Sequence, residues 1–217
     1  MPLKISPEFS FSKEILHMTT NIQQQISHRP FILNISGNLQ RKRLDVLLET
    51  YARLRYHHPE LLLVRIGPQW EPEMQARIER LGIQHGIRLF SKIEQQDLVE
   101  LYRRAAIVLM TSETEGFAMP LIEALACGSV AVVSDIPVLR EVGGNAAVYC
   151  PVGQPEVWAD TIHHLLNHPE AAPSLSVRLN QVKNYSWSLH AATIAQAYQE
   201  KIRSHCPTPQ PLEVVTS

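Results

Sequence analysis

Short, unbroken apolar runs recur along this chain, and each leads into a stretch whose apolar residues fall at helical spacing. Phe31-Ile32-Leu33-Asn34-Ile35-Ser36 ends at Gly37 and Leu61 to Ile66 ends at Gly67. Ile87 to Phe90, Ile107 to Met110 and Val130 to Val133 follow, with Ala147 to Tyr149 as a further candidate. A strand with water on one side alternates polar and apolar residues, so continuous runs predict strands covered on both faces. Between them, Leu44, Leu47, Leu48, Tyr51 and Leu54 mark a helix closed by Pro59. Pro72 to Leu81, the segment around Leu98 to Tyr102, Pro120 to Ala126 and Val157 to Leu166 read as further helices, and another runs to about Tyr185. The alternation predicts an α/β fold, a doubly wound parallel sheet in a single domain. Its ligand is expected in the crevice beyond the carboxyl ends of the strands.

Composition narrows the partners. At 217 residues and 45% hydrophobic, the chain can bury a core of its own. Net charge is −1 with no long run of one sign, so no nucleic-acid partner is expected. Cys127, Cys150 and Cys206 are odd in number and widely spaced, which favours a reducing, cytoplasmic setting over a disulfide framework. The longest apolar run, Ala105 to Met110, is far short of the roughly 20 residues of a membrane helix. Peripheral membrane association through a partner stays open.

The segment Ser112 to Gly128 carries the chemistry. It follows a strand and opens a helix whose first turn holds Pro120. The amides of Gly116, Phe117, Ala118 and Met119 would point into the crevice at the positive end of the helix, a setting suited to a diphosphate. Glu115 and Glu123 would face the same cleft from different heights, one near a sugar and one near a ribose. The residues alone leave a second reading open, in which these glutamates only complement the helix dipole and Gly116 only makes a turn.

Glu115-Gly116-Phe117-Ala118-Met119-Pro120, with Glu123-Ala124 and Cys127-Gly128, resembles the signature of retaining GT-B glycosyltransferases of family four. The likeness extends to Arg41-Lys42-Arg43-Leu44-Asp45, Asp97 to Tyr102, Ser134-Asp135, Leu139 to Gly144 and Tyr185-Ser186-Trp187, so it spans about residues 31 to 203. The resemblance implies a Rossmann-like domain, the C-terminal half of a GT-B fold, holding a nucleotide-diphosphate sugar. It implies hexosyl transfer with retention and neither a metal nor another cofactor. Lys42 and Glu115 would be the catalytic pair, with Lys42 neutralising the departing diphosphate and Glu115 touching the donor sugar. Glu123 would hold the ribose, Ser91-Lys92-Ile93 the base, and Gly37, Asn38, Arg41, Gly67 and Gly116 to Met119 the rest of the donor. Asn38 stands where the family usually has arginine, and Ala118 where it has its second glycine.

The resemblance also implies an N-terminal acceptor half, to which nothing here corresponds. The expected division is therefore a linker or remnant over 1–30, a nucleotide-sugar-binding domain over 31–186, and a crossover helix with a flexible tail over 187–217. A protein partner or self-association is expected at the exposed interdomain face. Two other classes remain: a binding module without turnover, and a sugar-nucleotide epimerase. His57-His58 and His163-His164 are sequence neighbours that cannot face each other on one helix, so they read as surface residues. Cys127 reads as core, and Trp158 and Trp187 as packing among the C-terminal helices. Trp70 has no assigned role.

Overall fold

A computed structural model describes residues 19–185. The expected crossover segment over 187–217, with Trp187 and Cys206, lies outside them, as does 1–18 of the expected linker. Six strands form one parallel sheet: β1 (Phe31–Ile35), β2 (Leu62–Ile66), β3 (Ile87–Phe90), β4 (Ile107–Met110), β5 (Ala131–Ser134) and β6 (Val148–Cys150). Their order is β3-β2-β1-β4-β5-β6. The direction of winding reverses between β1 and β4, so the loops after these two strands border the topological switch point.

The helices are α1 (Thr20–Ile26), α2 (Leu44–His57), α3 (Pro72–Leu81), α4 (Gln95–Arg104), α5 (Met119–Ala126), α6 (Pro137–Gly143), α7 (Pro155–Asn167) and α8 (Leu175–Val182). Four of them carry proline in the first turn, where no amide partner is lost. Gly82 ends α3 at φ 66°, a left-handed cap that a side chain would disfavour. The period of two along each strand sorts the core into faces. Ile32, Leu63, Ile107 and Leu109 pack with α2, α3 and α7, whereas Phe31, Leu33, Leu62, Val64 and Val108 pack with α1, α4 and α5. Trp158 on α7 is fully buried in the first cluster and donates its indole N–H to Pro151 O at 2.8 Å. Cys127 is buried in the second, and burial pushes its thiol up to about 12, which suits packing rather than nucleophilic chemistry.

Part of the expected linker is built into this core. Ile22 and Ile26, one helical turn apart on α1, are buried against β1 and α4, and Thr19 N donates to Asp97 Oδ1 at 2.8 Å. Two isoleucines around Gln23-Gln24-Gln25 make too short a period to stand out in the sequence. The histidine pairs lie at the surface, exposed or half-buried, and one of each meets the other: His58 Nε2, just past α2, lies 2.9 Å from His163 Nδ1 on α7.

The carboxyl ends of the strands break the apolar rule. Asn34, Arg65, Thr111, Ser112 and Ser134 are all buried there. Among the described residues no helix is long and apolar enough to cross a membrane.

Candidate functional site

The loops after β1 and β4 close on each other through their own backbone. Glu113 N donates to Arg41 O at 2.8 Å, and the Thr111 hydroxyl reaches Lys42 O at 2.9 Å and Arg43 O at 3.1 Å. Arg43 caps α2 at a left-handed φ of 49°. Its guanidinium grips Asp45 through Nε (3.0 Å) and Nη2 (2.9 Å), and Nη1 lies 3.4 Å from Glu113. This clamp fixes the direction in which Arg41 and Lys42 leave the chain.

Both then converge on Glu115. Lys42 Nζ lies 2.5 Å from Glu115 Oε1 and Arg41 Nη1 lies 3.1 Å from Oε2. Arg41 also donates to Thr114 O at 2.9 Å, and the Ser112 hydroxyl donates to Glu115 Oε1 at 2.7 Å. Burial alone would raise the Glu115 pKa, but Lys42, Ser112 and Arg41 outweigh it and hold the carboxyl below its ordinary value. Glu123, one turn into α5, moves the other way. Burial raises it against the pull of the Tyr102 hydroxyl, which donates to Glu123 Oε2 at 2.8 Å. Two carboxylates with opposed environments can take different tasks.

Not every expected residue points at this cluster. Gly37 lies two residues beyond β1, and a Cβ placed on it or on Gly116 would meet nothing within 4 Å, so open space lies over both. Gly67 is different: a Cβ there would collide with the Ser36 carbonyl oxygen, so protein packing alone demands a glycine. The Asn38 side chain turns toward the loop after β2, donating to Gln69 O (2.6 Å) and Glu71 Oε1 (3.1 Å). It is a brace between two loops and has no amide hydrogen directed at Glu115. The Phe117 ring packs near Tyr185, with centroids 6.0 Å apart, leaving only its backbone for the cleft. Ala118 is the N-cap of α5 at φ 63°, a conformation that glycine adopts freely and alanine holds at a cost of about 1–2 kcal/mol. Met119 and Pro120 open the helix. Ser91 and Lys92 are exposed and Ile93 half-buried, on the loop after β3 at the same end of the sheet.

Sequence reading missed Ser112 and Thr111 as parts of the cluster, Tyr102 as the partner of Glu123, and Arg65 as the partner of Asn38. A hydroxyl or a cation at the end of an otherwise apolar run was the available signal. On the α2–α3 side of the same loop a cleft of about 640 Å³ opens, lined by Asn38, Gln40, Asp45, Glu71, Glu73 and Arg77 among others. Glu113 borders it, whereas Lys42 and Glu115 do not, so it adjoins the cluster without containing it.

The profile of one protein family, described as glycosyl transferases group 1, matches residues 19–181. The D-inositol 3-phosphate glycosyltransferase of Corynebacterium jeikeium is 28% identical over 194 residues, covering 81% of this chain and 45% of that protein. The O-antigen chain mannosyltransferase B of Escherichia coli is 28% identical over 181 residues, covering 81% of this chain and 47% of its own length. Among solved structures, a sucrose-phosphate synthase from Thermosynechococcus elongatus superposes with a TM-score of 0.73 at 18% identity, covering 91% of this chain and 51% of that one. The chain thus spans about half the length of the relatives it matches.

Proposed function

Since this chain belongs to the glycosyl transferases group 1 family, we propose that its cleft holds the nucleotide-diphosphate sugar of a hexosyl transfer that retains anomeric configuration and needs no metal ion. The convergence of Lys42, Arg41 and Ser112 on Glu115 at the switch point, beside the first turn of α5, carries this reading. When the bond between the anomeric carbon and the diphosphate breaks, negative charge grows on the leaving oxygen. Lys42 and the amides of Gly116 to Met119 are the groups here that stabilise such charge. Glu115, already ionised, faces the sugar hydroxyls, and Glu123 accepts from the ribose. The loop over Ser91, Lys92 and Ile93 meets the base. The acceptor side of the cleft comes from beyond the 217 residues, as the half-length match to the relatives supports.

Calorimetric titration of the chain with uridine and guanosine diphosphates and their hexose esters tests the reading. Saturable binding is expected, and Glu123→Ala is expected to weaken it about tenfold or more, because hydrogen bonds to an ionised carboxylate contribute about 1.5–3 kcal/mol. If no nucleoside diphosphate binds, there is no donor site.

Tyr102→Phe gives a finer check. The lost hydroxyl donates to the ionised form of Glu123, so its removal raises the Glu123 pKa further above the ordinary 4.5. Nucleoside affinity is then expected to fall at a higher pH than in the parent chain as the solution is acidified. Identical pH profiles would show that Tyr102 does not govern Glu123.

A further inference from the structure

Arg65 is a fully buried cation at the carboxyl end of β2, and among the described residues no carboxylate is paired with it. Its Nη1 donates to Pro68 O at 2.6 Å, and its Nη2 to Ser36 O at 3.1 Å and Asn38 Oδ1 at 2.6 Å. The Nε is buried without a partner, and Trp70 covers the guanidinium 4.2 Å from its ring centroid. Burial lowers the pKa to about 10, which leaves the group charged at neutral pH. A buried charge offset only by carbonyl dipoles is an expensive way to fill a strand position. Its neighbours on the same face, such as Leu63, are apolar.

The acceptors explain the choice of arginine. They come from two loops that leave adjacent strands, and a planar fork of five donors can reach both at once. Ser36 immediately precedes Gly37, and Asn38 follows it, passing the brace on to Gln69 and Glu71. The far end of this same loop is held by Thr111 and by the amide of Glu113. Arg65 therefore pins the near end of the segment whose far end presents Lys42.

We propose that Arg65 is a positioning residue for the donor's diphosphate: it cross-braces the loops after β1 and β2 and so sets where Gly37 and Lys42 meet the phosphates. The role rests on the donor-site reading above. It acts on the phosphates alone, because the ribose and base contacts are assigned to Glu123 on helix α5 and to residues 91–93 on the loop after β3.

The test is a double-mutant cycle on the full chain, titrated with uridine and guanosine diphosphates and with the two nucleosides. Arg65→Met is expected to weaken diphosphate binding about tenfold while nucleoside affinity stays within about twofold, and to have no further effect in a Lys42→Ala background. Asn38→Leu, which removes one arm of the brace without emptying the buried position, is expected to act in the same direction by about threefold. Additive losses with Lys42→Ala, or an equal fall in nucleoside affinity, would mean a general packing role and overturn the proposal. If Arg65→Met does not fold, Asn38→Leu decides. Parental affinity in both variants removes the role of Arg65 alone, whereas a parent chain that binds no diphosphate removes the donor site and this role with it.

Discussion

Lys42→Ala and Glu115→Gln are expected to move nucleoside diphosphate affinity in opposite directions. Lys42 carries the charge closest to Glu115 and is only 14% exposed in its side chain, while Glu115 is 6% exposed. A diphosphate and the Glu115 carboxylate therefore compete for the same two cations. Removing the ammonium deletes a charge-assisted contact worth about 1.5–3 kcal/mol, so binding should weaken about ten- to hundredfold. Replacing the carboxylate by its neutral isostere frees Lys42 and Arg41, and binding should tighten by about threefold or more. The same glutamine should abolish any preference for the sugar ester over the bare diphosphate, since Glu115 is the group assigned to the sugar. Calorimetry on the two variants reads all three effects. Weaker binding in Glu115→Gln would show that the carboxylate holds the site together rather than competing for it. The substitution also carries a stability signature. Because the folded Glu115 pKa lies below its ordinary 4.5, the ion-pair cluster stabilises the fold above that pH and loses its contribution as pH falls through the folded value. Acid unfolding of Glu115→Gln should lack this component.

Gly67→Ala and Gly116→Ala should separate packing from binding. At Gly67 the new methyl would collide with the Ser36 carbonyl oxygen and lie 3.1 Å from Arg65 Nη2. Neither neighbour can retreat: one is backbone and the other is fixed by three acceptors. The ends of β1 and β2 must part, an overpacking expected to cost about 1–3 kcal/mol and to lower Tm by several degrees. At Gly116 the methyl enters open space, so Tm should hold, within about 0.5 kcal/mol of stability. It enters the space proposed for the diphosphate, however, and affinity should fall. Thermal unfolding and titration of both variants check the contrast. A destabilised Gly116→Ala or an undisturbed Gly67→Ala would contradict it.

The parts that the sequence displayed are those whose physics is local. β2, β4 and α3 are visible as an apolar run or a helical period, since a two-sided sheet allows little else at those positions. The pairing of the loop after β1 with the segment after Met110 was accessible through the resemblance carried by Arg41-Lys42 and Glu115 to Pro120, and the coordinates bring those side chains into contact. What stayed hidden depends on which chain segments meet. Asn38 could be placed at the end of a strand, but its turn toward Gln69 is dictated by Arg65, 27 residues away. Tyr102 reads as one more apolar position on α4 until α5 sets Glu123 against its hydroxyl. α1 shows two isoleucines and no more, and its place is decided by the surface that β1 and α4 leave for it.

The seam between β1 and β4 is stitched unevenly. β1 and β2 are in register over five residue pairs, whereas β1 and β4 share only two, Ile32 with Ile107 and Leu33 with Val108. Past that short ladder the Asn34 side chain reaches Leu109 O at 2.9 Å, and the loops then take over the joining, with Arg41, Lys42 and Arg43 on one lip and Thr111, Glu113, Thr114 and Glu115 on the other. Chemistry and cohesion are thus fastened with the same rivet. If the proposed nucleotide grips both lips, it tightens the joint with the shortest ladder in the sheet, and a change at Lys42 or Glu115 made for a new sugar also alters a contact that spans that joint.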